Sequence, residues 1–437
     1  MDLQVRNIAI AALKPRPTNP RTHSKKQLKQ IADSIREFGF VNPVLIDGEG
    51  RIIAGHGRVE AAKLVGMTEA PTVRVDHLTE AQIRAYVIAD NKLALNAGWD
   101  DGLLRIELKE LSYNLGFDVT LTGFETAELD QLLIGAEVDE DDEVEEPDHS
   151  RPAISRMGDL WLIGRHRVLC ADATKRESYA RLLGGQRAQL VFTDPPYNVP
   201  IKGHVSGLGK VQHEEFAMAS GEMSRAQFTE FLRAIFVNLA DHSTDGSVHY
   251  ICMDWRHMGE VTTAAEGAYS ELLNLCVWSK TNGGMGSLYR SQHELVFVYQ
   301  AGRGSHVNNV ELGKHGRYRT NVWSYAGVNT FGASRDADLA MHPTVKPVAL
   351  VADAIKDAPK RNAVVLDAFG GSGTTLVAAE RTGRRGFALE ISPHYVDTIV
   401  RRVSEATGEQ ARLDRTGETF SAVRDWRASG LEEELFA

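Results

Sequence analysis

At 437 residues the chain exceeds one ordinary domain, and 43% hydrophobic with 25% charged residues is globular composition, which excludes a disordered or fibrous protein. Three widely spaced cysteines, Cys170, Cys252 and Cys276, exclude a disulfide framework and a Cys-x-x-Cys metal site, so no metal is expected. No apolar run approaches the ~18 residues of a membrane span and no signal-peptide pattern opens the chain, so the protein is predicted to be cytoplasmic, with no membrane partner. The net charge of −10 is misleading as a whole. Nine acids lie between Glu137 and Asp148, and without them −10 becomes −1. A like-charge block of this kind repels itself, which predicts an acidic linker over 136–150.

Before the linker, Ile8 to Leu13 reads as a first strand and Pro15 to Pro20 as a turn-rich crossing. Leu28, Ile31, Ile35 and Phe38 recur at helical spacing, with Gly39 as the stop. Val44–Ile46 and Arg51–Ile53 flank Asp47-Gly48-Glu49-Gly50, a hairpin signal. Ala54-Gly55-His56-Gly57-Arg58 then runs into a helix predicted from Val59 to Val65. Glycines at a strand-to-helix turn, with Arg58 at the helix start, suit a phosphate held on free N–H groups; the alternative is a tight turn and nothing more. Leu103 to Leu133 reads as helical. These residues, with Ala89-Asp90-Asn91-Lys92-Leu93, resemble the amino-terminal domain of the ParB/sulfiredoxin-like family over residues 5–100. The resemblance implies a small α/β accessory domain over 1–135 that binds DNA or nucleotide, the nucleotide at Gly55, His56 and Arg58. His56-Gly57-Arg58 stands where partition proteins have a double-Arg turn. The sulfiredoxin cysteine is absent there, which excludes redox repair.

After the linker, Asp159–Ile163 and Arg167–Asp172 read as strands. A helix over Lys175–Leu183 ends at Gly184-Gly185, and a strand over Gln189–Phe192 follows. Strand, helix and strand predict a βαβ unit and a doubly wound, mostly parallel sheet. That strand delivers Thr193-Asp194-Pro195-Pro196-Tyr197 to its carboxyl end, where open α/β sheets bind ligands. The exocyclic amine of a nucleobase is a poor nucleophile, because its lone pair is delocalised into the ring. Its two N–H bonds are the handles: Asp194 and the carbonyl of Pro195 can each accept one, freeing the lone pair and stabilising charge on the nitrogen. Tyr197 offers a flat face for a base extruded from the duplex.

Phe228 to Leu239 reads as an amphipathic helix, and Val248–Cys252, Leu273–Trp278 and Leu295–Tyr299 as three further strands. Two polar, Gly-rich stretches, 200–222 and 303–341, are long for loops of a compact domain. The second interleaves Arg303, Lys314, Arg317, Arg319 and Arg335 with Tyr318, Trp323 and Tyr325. Basic groups suit phosphates and aromatics suit unstacked bases, so this stretch is predicted to recognise the target. His342-Pro343-Thr344-Val345-Lys346-Pro347 is a proline-stiffened loop that holds Thr344 and Lys346 in place. Val364-Val365-Leu366-Asp367 is a strand meeting the glycine turn Ala368-Phe369-Gly370-Gly371-Ser372-Gly373-Thr374-Thr375, followed by a helix over Leu376–Arg381 that Gly383 stops. Glu390 lies twenty residues beyond Gly370, the spacing at which an acid reaches ribose hydroxyls in nucleotide-binding α/β folds. Ser392, Pro393 and Gly408 mark the last helix.

Three motifs in this order, Asp-Pro-Pro-Tyr, His-Pro-Thr-x-Lys-Pro and the glycine turn, make residues 157–407 similar to the β-class DNA amino-methyltransferases, within a carboxyl-terminal domain over 151–437. The resemblance implies S-adenosylmethionine as cofactor, held by Asp172, Thr344, Lys346, Asp367, Phe369, Gly370, Gly373, Thr374 and Glu390. It implies catalysis at Asp194, Pro195, Pro196 and Tyr197, double-stranded DNA as partner, and a restriction–modification setting. Homodimerisation is a further expectation. Adenine N6 is the favoured target, since enzymes acting on cytosine N4 more often carry serine in place of Asp194. Two alternatives stay open: cytosine-N4 methylation, and a ParB-type DNA- or nucleotide-binding module with an inactive methyltransferase half. Methylation of RNA or of a protein glutamine fits the motif order less well. Ala368 departs from the proline common in the family.

Overall fold

The computed structural model describes residues 4–134, 147–199, 219, 221–281, 283, 288–312, 317–325 and 345–429. Most of the acidic stretch, most of 200–222, and Lys314, Arg335 and Thr344 lie outside the described residues. The chain divides into two compact units, residues 1–133 and 134–437. No helix is long and apolar enough to cross a membrane among the described residues.

In the first unit, β1 (Val5–Ala9), β2 (Val44–Ile46), β3 (Ile52–Ala54) and β4 (Glu69–Arg74) form a sheet in the order β1-β4-β2-β3. β2 and β3 are the expected antiparallel hairpin. The strand predicted over 8–13 ends instead at Ala9, and Ile10–Ala12 forms a 3-10 turn. Ile10 and Leu13 are both buried in the core, and a three-residue spacing on one face belongs to that turn rather than to a strand. Helix α1 (Lys25–Phe38) is capped by Ser24, whose hydroxyl accepts the Gln27 amide, and stops at Gly39 in a positive-φ conformation. α2 (His56–Leu64) starts a turn earlier than expected, because left-handed Gly55 (φ 103°) serves as its cap. α3 (Glu80–Ala94) opens on a reciprocal Thr79–Gln82 capping box. The region read as one helix over 103–133 is broken into α4 (Asp101–Lys109), a π turn, a 3-10 turn and α5 (Thr126–Ile134). Gly116 and Gly123, both at positive φ, interrupt it.

In the second unit the strands are β5 (Leu160–Ile163), β6 (His166–Cys170), β7 (Ala188–Thr193), β8 (Ser243–Met253), β9 (Glu271–Ser279), β10 (His293–Ala301), β11 (Val322–Ser324), β12 (Val364–Asp367), β13 (Arg385–Glu390) and β14 (Arg412–Leu413). They form one sheet in the order β11-β9-β10-β8-β7-β12-β13-β6-β5-β14. The run β8-β7-β12-β13-β6 is parallel, with antiparallel pairs on both sides. Along β7, Leu190 and Phe192 enter one core and Val191 the other, as the two-residue period of a strand requires. The first core is completed by α9 (Val348–Asp357), α10 (Thr374–Arg381) and α11 (Pro393–Thr407). The second is completed by α6 (Arg176–Leu183), α7 (Arg225–Asp241) and α8 (Met258–Ala265). Helices on both faces make the unit a doubly wound α/β sheet. From β7 the chain winds to β8, whereas β12 leads toward β13, so the winding reverses between β7 and β12. Strand carboxyl ends at such a reversal leave a crevice.

Candidate active site

Four sequence motifs arrive at this edge from four parallel neighbours. Asp194 follows β7, the glycine turn follows β12, Glu390 ends β13 and Asp172 follows β6. The first two are also fastened to each other. The Thr193 hydroxyl donates to Asp367 Oδ1 at 2.9 Å and accepts the Ala368 amide at 3.2 Å, so it links the end of β7 to the start of the glycine turn. Asp367 also accepts from the Thr375 hydroxyl at 2.6 Å and the Phe369 amide at 3.0 Å. Burial pushes its carboxyl up to about 7, against the lowering pull of these donors.

The glycine turn is shaped by crowding from α11. A Cβ on Gly370 would stand 2.9 Å from Ile399 Cδ1 and 3.2 Å from Ala388 Cβ. Gly373 caps α10 with φ 87°, a left-handed conformation that other residues adopt at a cost. Glu390 reaches across from β13, accepting the Gly371 amide at 2.9 Å and the Ser392 amide at 2.8 Å. Burial raises its carboxyl, and these amides pull it back. Phe369 lies beside Phe231, ring centroids 6.2 Å apart. Thr374 is buried, its hydroxyl accepting from Arg402 at 3.2 Å. Asp172 closes a local turn by accepting the Thr174 amide and hydroxyl.

At the other side of the crevice, Pro195 is buried and Pro196 partly exposed. Asn198, at φ 52°, braces the loop by accepting the Gly221 and Met223 amides and donating to the Met223 carbonyl. Asp194 is gripped on both oxygens: Tyr197 Oη donates to Oδ1 at 2.7 Å, and Lys346 Nζ to Oδ2 at 2.5 Å. Lys346 also lies 3.0 Å from Glu294 Oε2, and Tyr197 Oη 3.2 Å from the same oxygen. Lys280 Nζ pairs with Glu294 Oε1 and sits 4.5 Å from the Trp278 ring centre. Burial and the nearby Glu294 charge push Asp194 up, with Lys346 opposing. Burial also acts to raise Glu294, but Lys346 and Lys280 hold its carboxyl down at about 2. Burial alone would lower Lys346; the two carboxylates raise it, so it stays charged.

Lys346, expected at the cofactor, places its ammonium on Asp194. The cause is charge: a buried ammonium takes the carboxylates within reach. Arg317 and Arg319 do not form a free basic face. Arg317 donates to Asp357 Oδ1 at 2.6 Å and Arg319 to Asp357 Oδ2 at 3.1 Å, while Arg319 stacks on Trp323. Glu294 and Lys280 are site residues that the sequence reading missed. Their signal is a charged residue at each strand's end, Glu294 near the start of β10 and Lys280 following Trp278-Ser279, beyond where the apolar pattern stops.

In the first unit, Arg58 folds back over Gly55 and donates to the Asn42 carbonyl at 2.8 Å. His56 Nε2 accepts the Arg16 amide at 3.3 Å. Burial, with the charges of His23 and Arg16, lowers the pKa of His56 from its ordinary value.

A family profile for DNA methylases matches residues 188–401, one for the ParB N-terminal domain matches residues 2–91, and one for a ParB-methyltransferase HTH domain matches residues 102–157. The ParB-like nuclease domain-containing protein YnaK of Escherichia coli K12 is 50% identical over 73 residues, 17% of this chain and 84% of that one. The putative methylase YubD of the same organism is 25% identical over 246 residues, 55% of this chain and 90% of that one. The solved structure of a putative DNA modification methylase from Thermus thermophilus, complexed with S-adenosyl-L-methionine, is 20% identical with a TM-score of 0.39, covering 58% of this chain and 96% of that one. The chain therefore belongs to the DNA methylase family in its carboxyl-terminal part and carries a ParB N-terminal domain at its amino end.

Proposed function

We propose that the second unit moves a methyl group from S-adenosylmethionine to the N6 amino group of an adenine flipped out of double-stranded DNA. The observation that carries this reading is the placing of Asp194–Tyr197 and the glycine turn on adjacent parallel strands, joined by the Thr193–Asp367 hydrogen bond. The cofactor fits the residues present. Gly370 and Gly373 let the backbone of the turn close onto Ile399 of α11, and Glu390 and Asp172 supply carboxylates at the next two strand ends. Phe369, Asp367 and Thr374 would complete the cradle. When bound, the cofactor supplies an electrophilic methyl group on a sulfonium.

The chain's own residues prepare the acceptor. Asp194 and the Pro195 carbonyl each accept one N–H of the base amine, which draws the nitrogen toward tetrahedral geometry. Pro195 and Pro196 hold those acceptors at fixed positions. Tyr197 gives the extruded base a surface to stack on, its hydroxyl anchored by Asp194 and Glu294. Mass analysis of nucleosides from DNA of cells expressing the protein is expected to show N6-methyladenine. N4-methylcytosine in its place would overturn the base assignment, and unmodified DNA the activity.

For the first unit we infer that the Gly55–Arg58 turn at the start of α2 binds a nucleotide through its phosphates. The support is an α-helix start with a left-handed glycine cap and Arg58 folded over it. Titrating CTP and ATP into the full chain is expected to release heat that Arg58→Ala removes. No heat with either nucleotide refutes the site.

A further inference from the structure

The candidate site holds four charges in a row where the target amine needs only one. Asp194, Lys346, Glu294 and Lys280 alternate in sign, each within ion-pair distance of the next. Side-chain exposure is 24% at Asp194, 6% at Lys346, 13% at Glu294 and 23% at Lys280. The two middle members are therefore the most enclosed. Lys346 sits between aromatic rings, its Nζ 5.7 Å from the Tyr197 ring centre and 5.8 Å from that of Trp278.

This arrangement poses an electrostatic problem. Methyl transfer builds positive charge on the amine nitrogen, which a carboxylate stabilises and an ammonium opposes. Lys346 pairs directly with Asp194, so by itself it would cancel most of the negative field that Asp194 presents. A second negative charge is needed to offset it. Glu294 is in place to do this, 3.0 Å from Lys346 Nζ, and shares the Tyr197 hydroxyl with Asp194. Lys280 pins Glu294 from the more open end, where solvent screens its own charge more effectively.

We propose that Glu294 is a positioning residue for methyl transfer: it holds Lys346 against Asp194 and offsets its charge, so that Asp194 keeps a net negative field at the target amine. The proposal rests on Asp194 being the amine acceptor. Lys346 in turn favours the ionised form of Asp194, against its enclosure and the second carboxylate. Removing either charge therefore harms the site, and in opposite directions.

The test is the single-turnover methylation rate at saturating S-adenosylmethionine, measured across pH for E294Q, K346M and the double variant. E294Q is expected to lower the rate by roughly 10²-fold, with its acid limb moved to lower pH, because the charge that raises Asp194 is gone. K346M is expected to slow the reaction at neutral pH and to recover as pH rises, since Asp194 then holds its proton longer. The double variant removes both charges, so its rate is expected to exceed that of E294Q, with an acid limb below that of K346M. A purely structural role for Glu294 predicts the reverse, a double variant worse than either single one. Wild-type rate in E294Q overturns the proposal, as does a double variant slower than E294Q. Should E294Q fail to fold, the double variant, in which the two most enclosed charges are both gone, still decides through its acid limb. D194N separates the two levels. Inactive D194N beside fully active E294Q sinks only the role of Glu294, whereas active D194N sinks the reading of Asp194 as well.

Discussion

Asp194→Ala is expected to lower the single-turnover rate of methyl transfer by roughly 10³-fold, near the upper end of what removing one preorganised charge-stabilising group costs. Two effects combine. The amine loses the ionised member of its two acceptors, and Lys346 turns from a neutralised partner into a positive charge facing the nitrogen. Affinity for S-adenosylmethionine is expected to persist, because Asp194 touches none of the glycine turn and the Thr193–Asp367 bond survives. The fold is expected to persist too, since Lys346 keeps Glu294 at 3.0 Å and is not left unpaired. Rapid-quench single turnover with a methyl-labelled cofactor, alongside equilibrium binding, separates these outcomes. A rate within tenfold of wild type would place the acceptor elsewhere.

Glu390→Ala is expected to weaken S-adenosylmethionine binding by roughly 10²-fold, about the 3 kcal/mol of a charge-assisted hydrogen bond lost from a buried site. Its carboxylate accepts the amides of Gly371 and Ser392, so alanine also leaves two enclosed N–H groups without their acceptor. The turn would then loosen where Gly370 and Gly373 need it closest to α11. Glu390→Gln keeps an amide oxygen that can satisfy one of the two donors. It is expected to fall between alanine and wild type. Isothermal titration of the two variants checks this: unchanged affinity in Glu390→Ala refutes a cofactor role for the residue.

Much of this site was legible from local order. Asp-Pro-Pro-Tyr after an apolar run, and Val-Val-Leu-Asp before a glycine turn, each name a strand and what stands at its end. The structure puts both turns on neighbouring strands. Less was legible where meaning depends on partners far along the chain. Glu294 lies 97 residues from Tyr197, and Lys346 lies 152 from Asp194. A proline-stiffened lysine read alone suits an anionic ligand equally well. Arg317 and Arg319 show the same dependence: composition marks them as suited to phosphates, and only the fold shows that Asp357 on α9 pairs with both. The helix read over 103–133 failed for a different reason, since apolar spacing survives across Gly116 and Gly123 although the backbone does not continue.

The chain order alone determined the two-part organisation of the chemistry, the strand-and-turn character of each motif and the residue types offered to an amine and to a nucleoside-like cofactor. Those properties are local: prolines set φ, glycines free it, and alternation of apolar residues assigns faces, whatever lies elsewhere. Only the tertiary structure decided which charges meet. Whether an ammonium serves a ligand or a neighbouring carboxylate depends on distance and burial, and both are set by the ends of β7, β9 and β10 meeting the residues just before α9.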